Sequence, residues 1–236
     1  PFFSEKRILI VEKSSYRKNR KTWCYWEQGA GEWDDLTYCT WSSCQFHSPR
    51  LSKSFDLRPY RYKMIRSDDY FSSLLPKLKE DERVTWVQGE PEEVSTTNNT
   101  HKPVIVKVNG VGYQIDHVFD SRVHDGFDPK DRSHSTLLQH FMGWMVEFED
   151  PVLDPDQFTM MDFRHRHEDS TSFMYTLPVS ETSAMFEFTL FDQHLLNESQ
   201  YEAYIKEYIS KYFPGPRKIS GNNSATAGKA FQDNKG

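Results

Sequence analysis

The chain has 236 residues, a mass of 27.9 kDa, a formal charge of -6 and an aromatic content of 15%. This length can bury a substantial core and can form one large domain or two small ones. The acidic balance argues against a general nucleic-acid binder, and a mean hydropathy of -0.77 without a long apolar run argues against a membrane-spanning helix.

The three cysteines, Cys24, Cys39 and Cys44, are an odd set without metal-ligand spacing. Reduced thiols are the simplest interpretation, and they favour a cytoplasmic location. The polar start at Pro1 has no hydrophobic signal core, which also argues against secretion.

The first predicted element is a short apolar strand at residues 7–11, which ends at Glu12. The second strand of a dinucleotide-binding βαβ unit ends in this way, with its acid on the adenosine ribose. No glycine-rich turn precedes the strand, so a buried edge strand that ends in an exposed Glu fits equally well. The basic run that follows could be a solvated loop or could contact cofactor phosphates or anionic lipid. It contains Lys13, Arg17, Lys18, Arg20 and Lys21.

A helix is predicted over residues 68–79, interrupted at Pro76, and a strand over residues 83–87. Two apolar runs then flank Asn109-Gly110, which is a strong signal for a two-residue hairpin. The run that follows this hairpin ends at Asp120, Ser121 and Arg122.

Four further strands separated by turn-rich segments predict an antiparallel sheet. They cover residues 141–148, 158–163, 173–177 and 185–191. An amphipathic helix follows at residues 198–212 and stops before Pro214. Residues after Lys218 show no hydrophobic period and are expected to be disordered.

The last of these strands contains one carboxylate, Glu187, among apolar residues. Strand geometry puts Met185, Glu187, Thr189 and Phe191 on one face. A carboxyl group among apolar neighbours has a raised pKa and can act as a proton donor near neutral pH. A Glu at a strand end that points to water is the alternative.

Eight colinear segments from Ile8 to Thr189 resemble the lycopene beta-cyclase family of flavin-dependent carotenoid cyclases. They read ILIVEK, NRKTWCYWE, YKMIRSDDYF, FDSR, LLQHFMGW, MDFR, YTLPVS and AMFEFT. The family's N-terminal glycine-rich motif and most of its C-terminal flavin region have no counterpart in this sequence.

The resemblance implies a mixed α/β fold of the FAD/NAD(P)-binding flavoprotein type, incomplete at the N-terminus, with an antiparallel β-sheet substrate domain. We expect a partial FAD-binding domain with a β-meander over 1–125, the substrate domain and its C-terminal helix over 126–218, and a tail over 219–236. The tail contains short pieces similar to the family's C-terminal flavin region, as if fragments had been joined.

The resemblance further implies acid-initiated, non-redox cyclisation of the linear ends of lycopene to beta-ionone rings. Reduced FAD would stabilise the carbocation, and NAD(P)H would be the reductant. Glu187 is the expected acid. Asp162 is a second catalytic candidate, because an ion pair with Arg164 could orient Glu187 or the flavin; a purely structural pair is the alternative. The partners implied are a linear carotenoid and a membrane surface, to which a cytoplasmic protein would attach peripherally.

The remaining site residues follow from the same matched segments. The expected cofactor-binding residues are Glu12, Arg20, Asp120, Ser121 and Arg122. The expected substrate-binding residues are Gln139, His140, Phe141, Trp144, Phe163 and Tyr175. His165 and His167 have metal-like spacing without a third ligand, and no metal is predicted.

The sequence is also compatible with two other functions. A flavin-dependent monooxygenase of similar fold would use the same architecture with Glu187 as a structural residue. A catalytically inactive remnant could bind carotenoid or a partner without turnover.

Overall fold

The structure is a computed structural model that describes residues 5–13, 21–95, 103–122, 136–215, 217–223 and 229–232. The chain forms two compact units. The first contains Pro1–Asn19 and Ser67–Phe127, and the second contains Arg20–Arg66 and Asp128–Gly236.

The regular elements are predominantly strands. The helices are α1 (Ser67–Glu80) and α2 (Glu198–Tyr212), with a short 3-10 turn at Asp34–Leu36. In chain order the strands are β1 (Ile8–Glu12), β2 (Thr22–Gln28), β3 (Thr37–Trp41), β4 (Ser43–Ser48), β5 (Leu51–Asp56), β6 (Tyr60–Arg66), β7 (Val84–Gln88), β8 (Pro91–Ser95), β9 (Val104–Val108), β10 (Val111–Ile115), β11 (Thr136–Phe148), β12 (Gln157–Asp162), β13 (Thr171–Pro178), β14 (Ser183–Asp192), β15 (Arg217–Asn223) and β16 (Lys229–Gln232).

The first unit pairs β1 with β7 in parallel and carries a three-stranded meander of β10, β9 and β8. The predicted hairpin is confirmed, with Asn109 and Gly110 both at positive φ, as a two-residue turn requires. Helix α1 continues through Pro76, where an interruption was expected. Proline removes one backbone hydrogen bond there without ending the helix.

The second unit is built on an eight-stranded sheet in the order β15, β11, β14, β13, β12, β4 and β5, with β16 also on β11. Helix α2 covers one face of this sheet. Asn197 begins the helix with a reciprocal capping box to Gln200. The α2 side forms the larger core, in which Phe186 and Phe188 of β14 pack with Tyr201, Ile205 and Tyr208 of the helix.

The other face of the large sheet packs on a smaller sheet with the order β2, β6, β3. Met185 of β14 and Phe158 of β12 meet Trp41 of β3 and Met64 of β6 in a second buried cluster. The alternation predicted for β14 is therefore confirmed, because Met185 and Phe186 belong to different cores.

The four strands and the helix predicted after residue 126 are present, and β11 to β14 pair antiparallel as expected. Two features differ from the prediction. Strand β4 adds in parallel to β12, which brings residues 43–56 into this sheet. Residues 217–223 and 229–232 are strands on β11, whereas the tail was expected to be disordered.

The division at residues 125 and 218 stays a prediction about domains. The compact units differ from it because residues 20–66 group with the second unit, through the pairing of β4 with β12. None of the helices in the described ranges is long and apolar enough to cross a bilayer. Cys24, Cys39 and Cys44 are free thiols.

Candidate functional site

Glu187 lies near the middle of β14, on the face that the small sheet covers. Its direct neighbours across the sheet are Gly143 of β11 and Tyr175 of β13. Directly opposed residues share one face of a sheet, so Tyr175 stands beside the carboxyl group. Gly143 contributes no side chain, and a Cβ there would lie 3.6 Å from the Glu187 Cβ. The carboxyl group therefore has a tyrosine on one side and a position without a side chain on the other.

Burial raises the pKa of Glu187 to about 7. The Thr189 hydroxyl, which donates a hydrogen bond to Oε1 at 3.1 Å, opposes this shift. Part of the Glu187 side chain remains accessible to solvent, so the acid is enclosed but can be reached. A carboxylic acid that keeps its proton near neutral pH is what a general acid requires.

The small sheet brings two neutral polar groups to the same place. Cys24 of β2 and Tyr62 of β6 interact electrostatically with Glu187, and the Tyr62 hydroxyl donates to the Cys24 sulfur. Burial raises the pKa of the Cys24 thiol to about 12 and also raises the pKa values of Tyr62 and Tyr175. All three groups are thus uncharged around the acid. Their neutrality leaves burial as the dominant influence on Glu187.

An aromatic row leads from Tyr175 across the sheet. The ring centres of Tyr175 and Phe173 are 5.1 Å apart, those of Phe173 and Phe163 are 5.3 Å apart, and those of Phe163 and Phe46 are 5.5 Å apart. We call Tyr175, Phe173, Phe163 and Phe46 the aromatic row. Aromatic faces attract a cation by roughly 0.5 to 2 kcal/mol each, depending on desolvation.

Two more of the predicted substrate residues lie on the Glu187 face. Phe141 is opposite Thr189, and Gln139 is opposite Phe191. Both are partly buried. Together with Phe163 and Tyr175, the structure gathers four of the six predicted substrate residues on the side of the acid.

His140 and Trp144 are on the opposite face, so the structure does not bring them to the acid. His140 is fully buried and contacts the Tyr201 hydroxyl of α2 through its Nδ1 atom. Trp144 is buried in the α2 core, with the Lys206 ammonium 5.3 Å from its ring centre. Residues 139–145 form one regular strand, and only alternate positions can face the same way.

Asp162 also faces α2 and not Glu187. Its fully buried carboxylate accepts hydrogen bonds from the Arg164 guanidinium and, at 2.8 Å, from the Tyr208 hydroxyl. Burial acts to raise the pKa of Asp162, but the bonds from Arg164 and Tyr208 outweigh it and lower the pKa. An ionised carboxylate that ties strand to helix is a structural anchor, and the structure gives it no role as an acid.

The histidines with metal-like spacing have protein partners. The His165 ring packs against Tyr204, Tyr208 and Phe188, and His167 Nδ1 lies 2.8 Å from the Tyr204 hydroxyl. Within the described ranges, no three His, Cys, Asp or Glu side chains form a group that could hold a metal ion. The absence of a metal stays a prediction for the whole protein.

Four of the five predicted cofactor residues, all except Arg20, belong to the first unit. Glu12 is the exposed last residue of β1, at the carboxyl end of the parallel β1–β7 pair. Lys13 and Glu90, which follow the two strands, form an ion pair at 2.7 Å. Ligands of open α/β sheets bind outside the carboxyl ends of the strands, so the position of Glu12 fits the ribose of a dinucleotide.

The segment Asp120-Ser121-Arg122 reaches the same end of the strands. Arg122 binds the Asp120 carboxylate with two nitrogens and donates to the Pro91 carbonyl oxygen at 3.1 Å. Lys13 and, more weakly, Arg122 lower the pKa of Glu90. The basic side chains of Lys13 and Arg122 therefore lie at the same end of the β1–β7 pair as Glu12. Arg20 lies outside the described residues.

Sequence reasoning missed Cys24, Tyr62 and Phe173 as neighbours of the acid. The signal for Tyr62 was present in the alternation of Tyr60, Tyr62 and Met64, which puts all three on one face of β6. No local signal could show that this face covers Glu187, because the contact joins strands more than a hundred residues apart in sequence.

A protein-family model described as "Lycopene cyclase protein" matches residues 4–220. A search of curated protein sequences found no match.

Solved structures share the fold at low sequence identity. A geranylgeranyl bacteriochlorophyll reductase-like protein from Thermoplasma acidophilum aligns with a TM-score of 0.60 and 12% identity, over 95% of this chain and 59% of that one. The flavin-dependent brominase Bmp2 gives 0.55 and 11%, over 96% and 61%. A flavin-dependent halogenase from Xanthomonas campestris gives 0.55 and 9%, over 95% and 57%. This chain thus spans less than two thirds of each, and the predicted mixed α/β flavoprotein-like fold is confirmed.

Proposed function

This chain belongs to the lycopene cyclase family, and we propose that it cyclises the linear ends of lycopene or a related carotenoid with Glu187 as the proton donor. The observation that carries the proposal is a carboxyl group whose pKa burial raises to about 7, on an aromatic-lined sheet face. Membership of the family supports the substrate class, and the residues beside Glu187 support the chemistry.

The reaction needs one proton and no net electron transfer. The Glu187 carboxyl proton adds to the terminal double bond, which leaves a tertiary carbocation. The π electrons of a double bond within the chain then form the new ring bond. A ring C–H bond gives its electron pair to the ring alkene, and its proton passes to the Glu187 carboxylate or to water, so that the acid is restored. The product is an isomer of the substrate. The neutral groups around Glu187 favour its protonated form before transfer, and the aromatic row can stabilise the cation.

A flavin is the cofactor that we propose, because the family and the flavin-dependent neighbours both suggest it. Glu12 would hold the adenosine ribose, with Asp120, Ser121 and Arg122 beside the same strand ends. Reduced FAD, when bound, supplies negative charge that stabilises a carbocation. NAD(P)H would be the reductant of the flavin.

The test is product analysis with the full-length protein. Lycopene in detergent micelles is incubated with the enzyme, FAD and NAD(P)H. The pigments are then separated by chromatography, and their masses are determined by mass spectrometry. We expect a cyclic product with the mass of lycopene and no stoichiometric consumption of NAD(P)H. An oxygenated product formed with equimolar NAD(P)H and oxygen would instead identify a monooxygenase, and bound but unchanged carotenoid would identify an inactive remnant.

The pH dependence should report the state of Glu187. Activity should fall as the pH rises through about 7, because the acid then loses its proton. Replacing Thr189 by Val removes a hydrogen bond that favours the charged form. The alkaline limb of the rate profile should therefore move up by about one pH unit.

Thr171→Val is the matched control for this change, since Thr171 is an exposed residue of β13 on the same face, opposite Phe191. Its pH profile should equal that of the unmodified protein. An unmoved alkaline limb in Thr189→Val would show that another group sets the profile.

Glu12→Ala should weaken FAD binding by about tenfold, because the ribose loses a charge-assisted hydrogen bond. Quenching of flavin fluorescence in the full-length protein measures this dissociation constant. Glu80→Ala, at the exposed end of α1, is the control and should leave the affinity unchanged. If both variants bind FAD with equal affinity, Glu12 does not contribute to the cofactor site.

A further inference from the structure

Among the described strands, β5 forms one edge of the large sheet, and all six of its residues are exposed. Leu51 and Phe55 keep 52% and 40% of their surface accessible, and the Lys53 ammonium lies 5.0 Å from the ring centre of Phe55. Alternation puts Leu51, Lys53 and Phe55 on one face. We call these three side chains the β5 edge. It combines exposed apolar groups with a cation.

The charge around the β5 edge is opposite to that of the chain. Residues 50–61 contain one acidic side chain, Asp56, in a protein with a formal charge of -6. The basic side chains of this segment are Arg50, Lys53, Arg58 and Arg61. In the same unit, the amphipathic rings of Trp26 and Tyr60 are 46% and 49% exposed. Exposed aliphatic, aromatic and basic side chains together are the composition of surfaces that bind lipid head groups.

The β5 edge lies on the same sheet face as the acid. Phe55 is opposite Cys44, which belongs to the buried cluster with Met185. Lys53 is opposite Phe46, the last member of the aromatic row. A line of apolar side chains therefore runs from the exposed edge strand, through the aromatic row with its buried Phe173, to Tyr175 beside Glu187.

We propose that the β5 edge docks the protein on an anionic phospholipid surface. Lys53 and its basic neighbours would meet the lipid phosphates, while Leu51 and Phe55 would enter the boundary with the acyl chains. This inference rests on the proposed function, because docking would serve to bring a carotenoid dissolved in the bilayer along the aromatic row to the acid. Lipid binding itself needs no substrate and can be measured separately.

The experiment is sedimentation of the full-length protein with vesicles of phosphatidylcholine, with and without one quarter phosphatidylglycerol. Binding should require phosphatidylglycerol and weaken with salt. Lys53→Glu should reduce the partition coefficient roughly twentyfold, since it replaces an attractive charge by a repulsive one. Leu51→Ser combined with Phe55→Ser should reduce it on the order of tenfold or more. Unfolding temperatures would show that the variants are folded.

Leu195→Ser is the matched control, because Leu195 is the same residue type with the same 52% exposure at another place in the chain. It should bind vesicles like the unmodified protein. Equal losses in Leu195→Ser, or full binding by Lys53→Glu, would overturn the proposal, and Lys53 would then be an edge-strand charge that prevents aggregation. Vesicle binding without any cyclic product would refute the function and leave the docking surface standing. The reverse result, cyclisation in micelles without vesicle binding, would refute the docking surface.

Discussion

Replacing Glu187 by Gln should abolish ring formation and leave flavin binding unchanged. The amide keeps the size of the side chain and can still accept a hydrogen bond from Thr189, but it has no acidic proton to give. General acids contribute on the order of a hundredfold to ten-thousandfold in rate, and protonation starts this reaction, so the loss should lie at the upper end. Pigment chromatography from cells that accumulate lycopene and express the full-length variant measures it.

The matched control for this variant is Glu181→Gln in the exposed turn between β13 and β14. It removes one carboxylate from the same hairpin without touching the Glu187 face, so cyclisation should continue. Cyclic product formed at the normal rate by Glu187→Gln would show that another group donates the proton.

Stability gives a second readout of the same residue. The folded-state pKa of Glu187 is about 7, above its ordinary value of 4.5. A raised pKa contributes stability that is fully present below about pH 4.5 and is lost as the pH rises through about 7. Glu187→Gln should therefore be more stable than the unmodified protein above pH 7, by roughly 1 to 3 kcal/mol, and similar to it below pH 4.5.

Local patterns correctly predicted one element in each unit. The alternation in β14 correctly separated Met185 from Phe186, and Asn109-Gly110 marked the observed hairpin. These features succeed because strand parity and turn geometry depend on a few adjacent residues. The matched segments also predicted the family correctly.

Long-range pairing could not be predicted in this way. The small sheet of β2, β6 and β3 and the parallel addition of β4 to β12 join distant parts of the chain. They determine what covers Glu187, so Tyr62 and Cys24 were missed as its neighbours. The prediction for β11 named both Gln139 and His140, although strand parity allows only one of two adjacent residues to face the acid.

A repeated Asp-x-Arg turn shows why local sequence could not assign Asp162. The described part of the chain contains four such turns, and in each the arginine binds the aspartate two residues before it with two nitrogens. They are Asp56/Arg58, Asp81/Arg83, Asp120/Arg122 and Asp162/Arg164. The first three carboxylates are between 30% and 53% exposed, while Asp162 is fully buried. The same local motif is therefore a surface pair at three places and a buried anchor at one.

This contrast predicts a large and specific effect for Asp162→Asn. Arg164 and Tyr208 would lose the buried anion that they bind. Breaking a buried pair costs about 3 to 5 kcal/mol, and the cost here should lie at the lower end because the Arg164 side chain keeps 28% of its surface exposed. Asp56→Asn removes the same local pair at the surface, where solvent screens the charges, and should change the stability far less. Chemical denaturation of both variants measures the difference. Because Asp162 faces α2, its variant should keep the normal pH profile of cyclisation wherever it is folded. A changed pH profile in folded Asp162→Asn would mean that the carboxylate influences the acid from across the sheet, and its role would then extend beyond anchoring the helix.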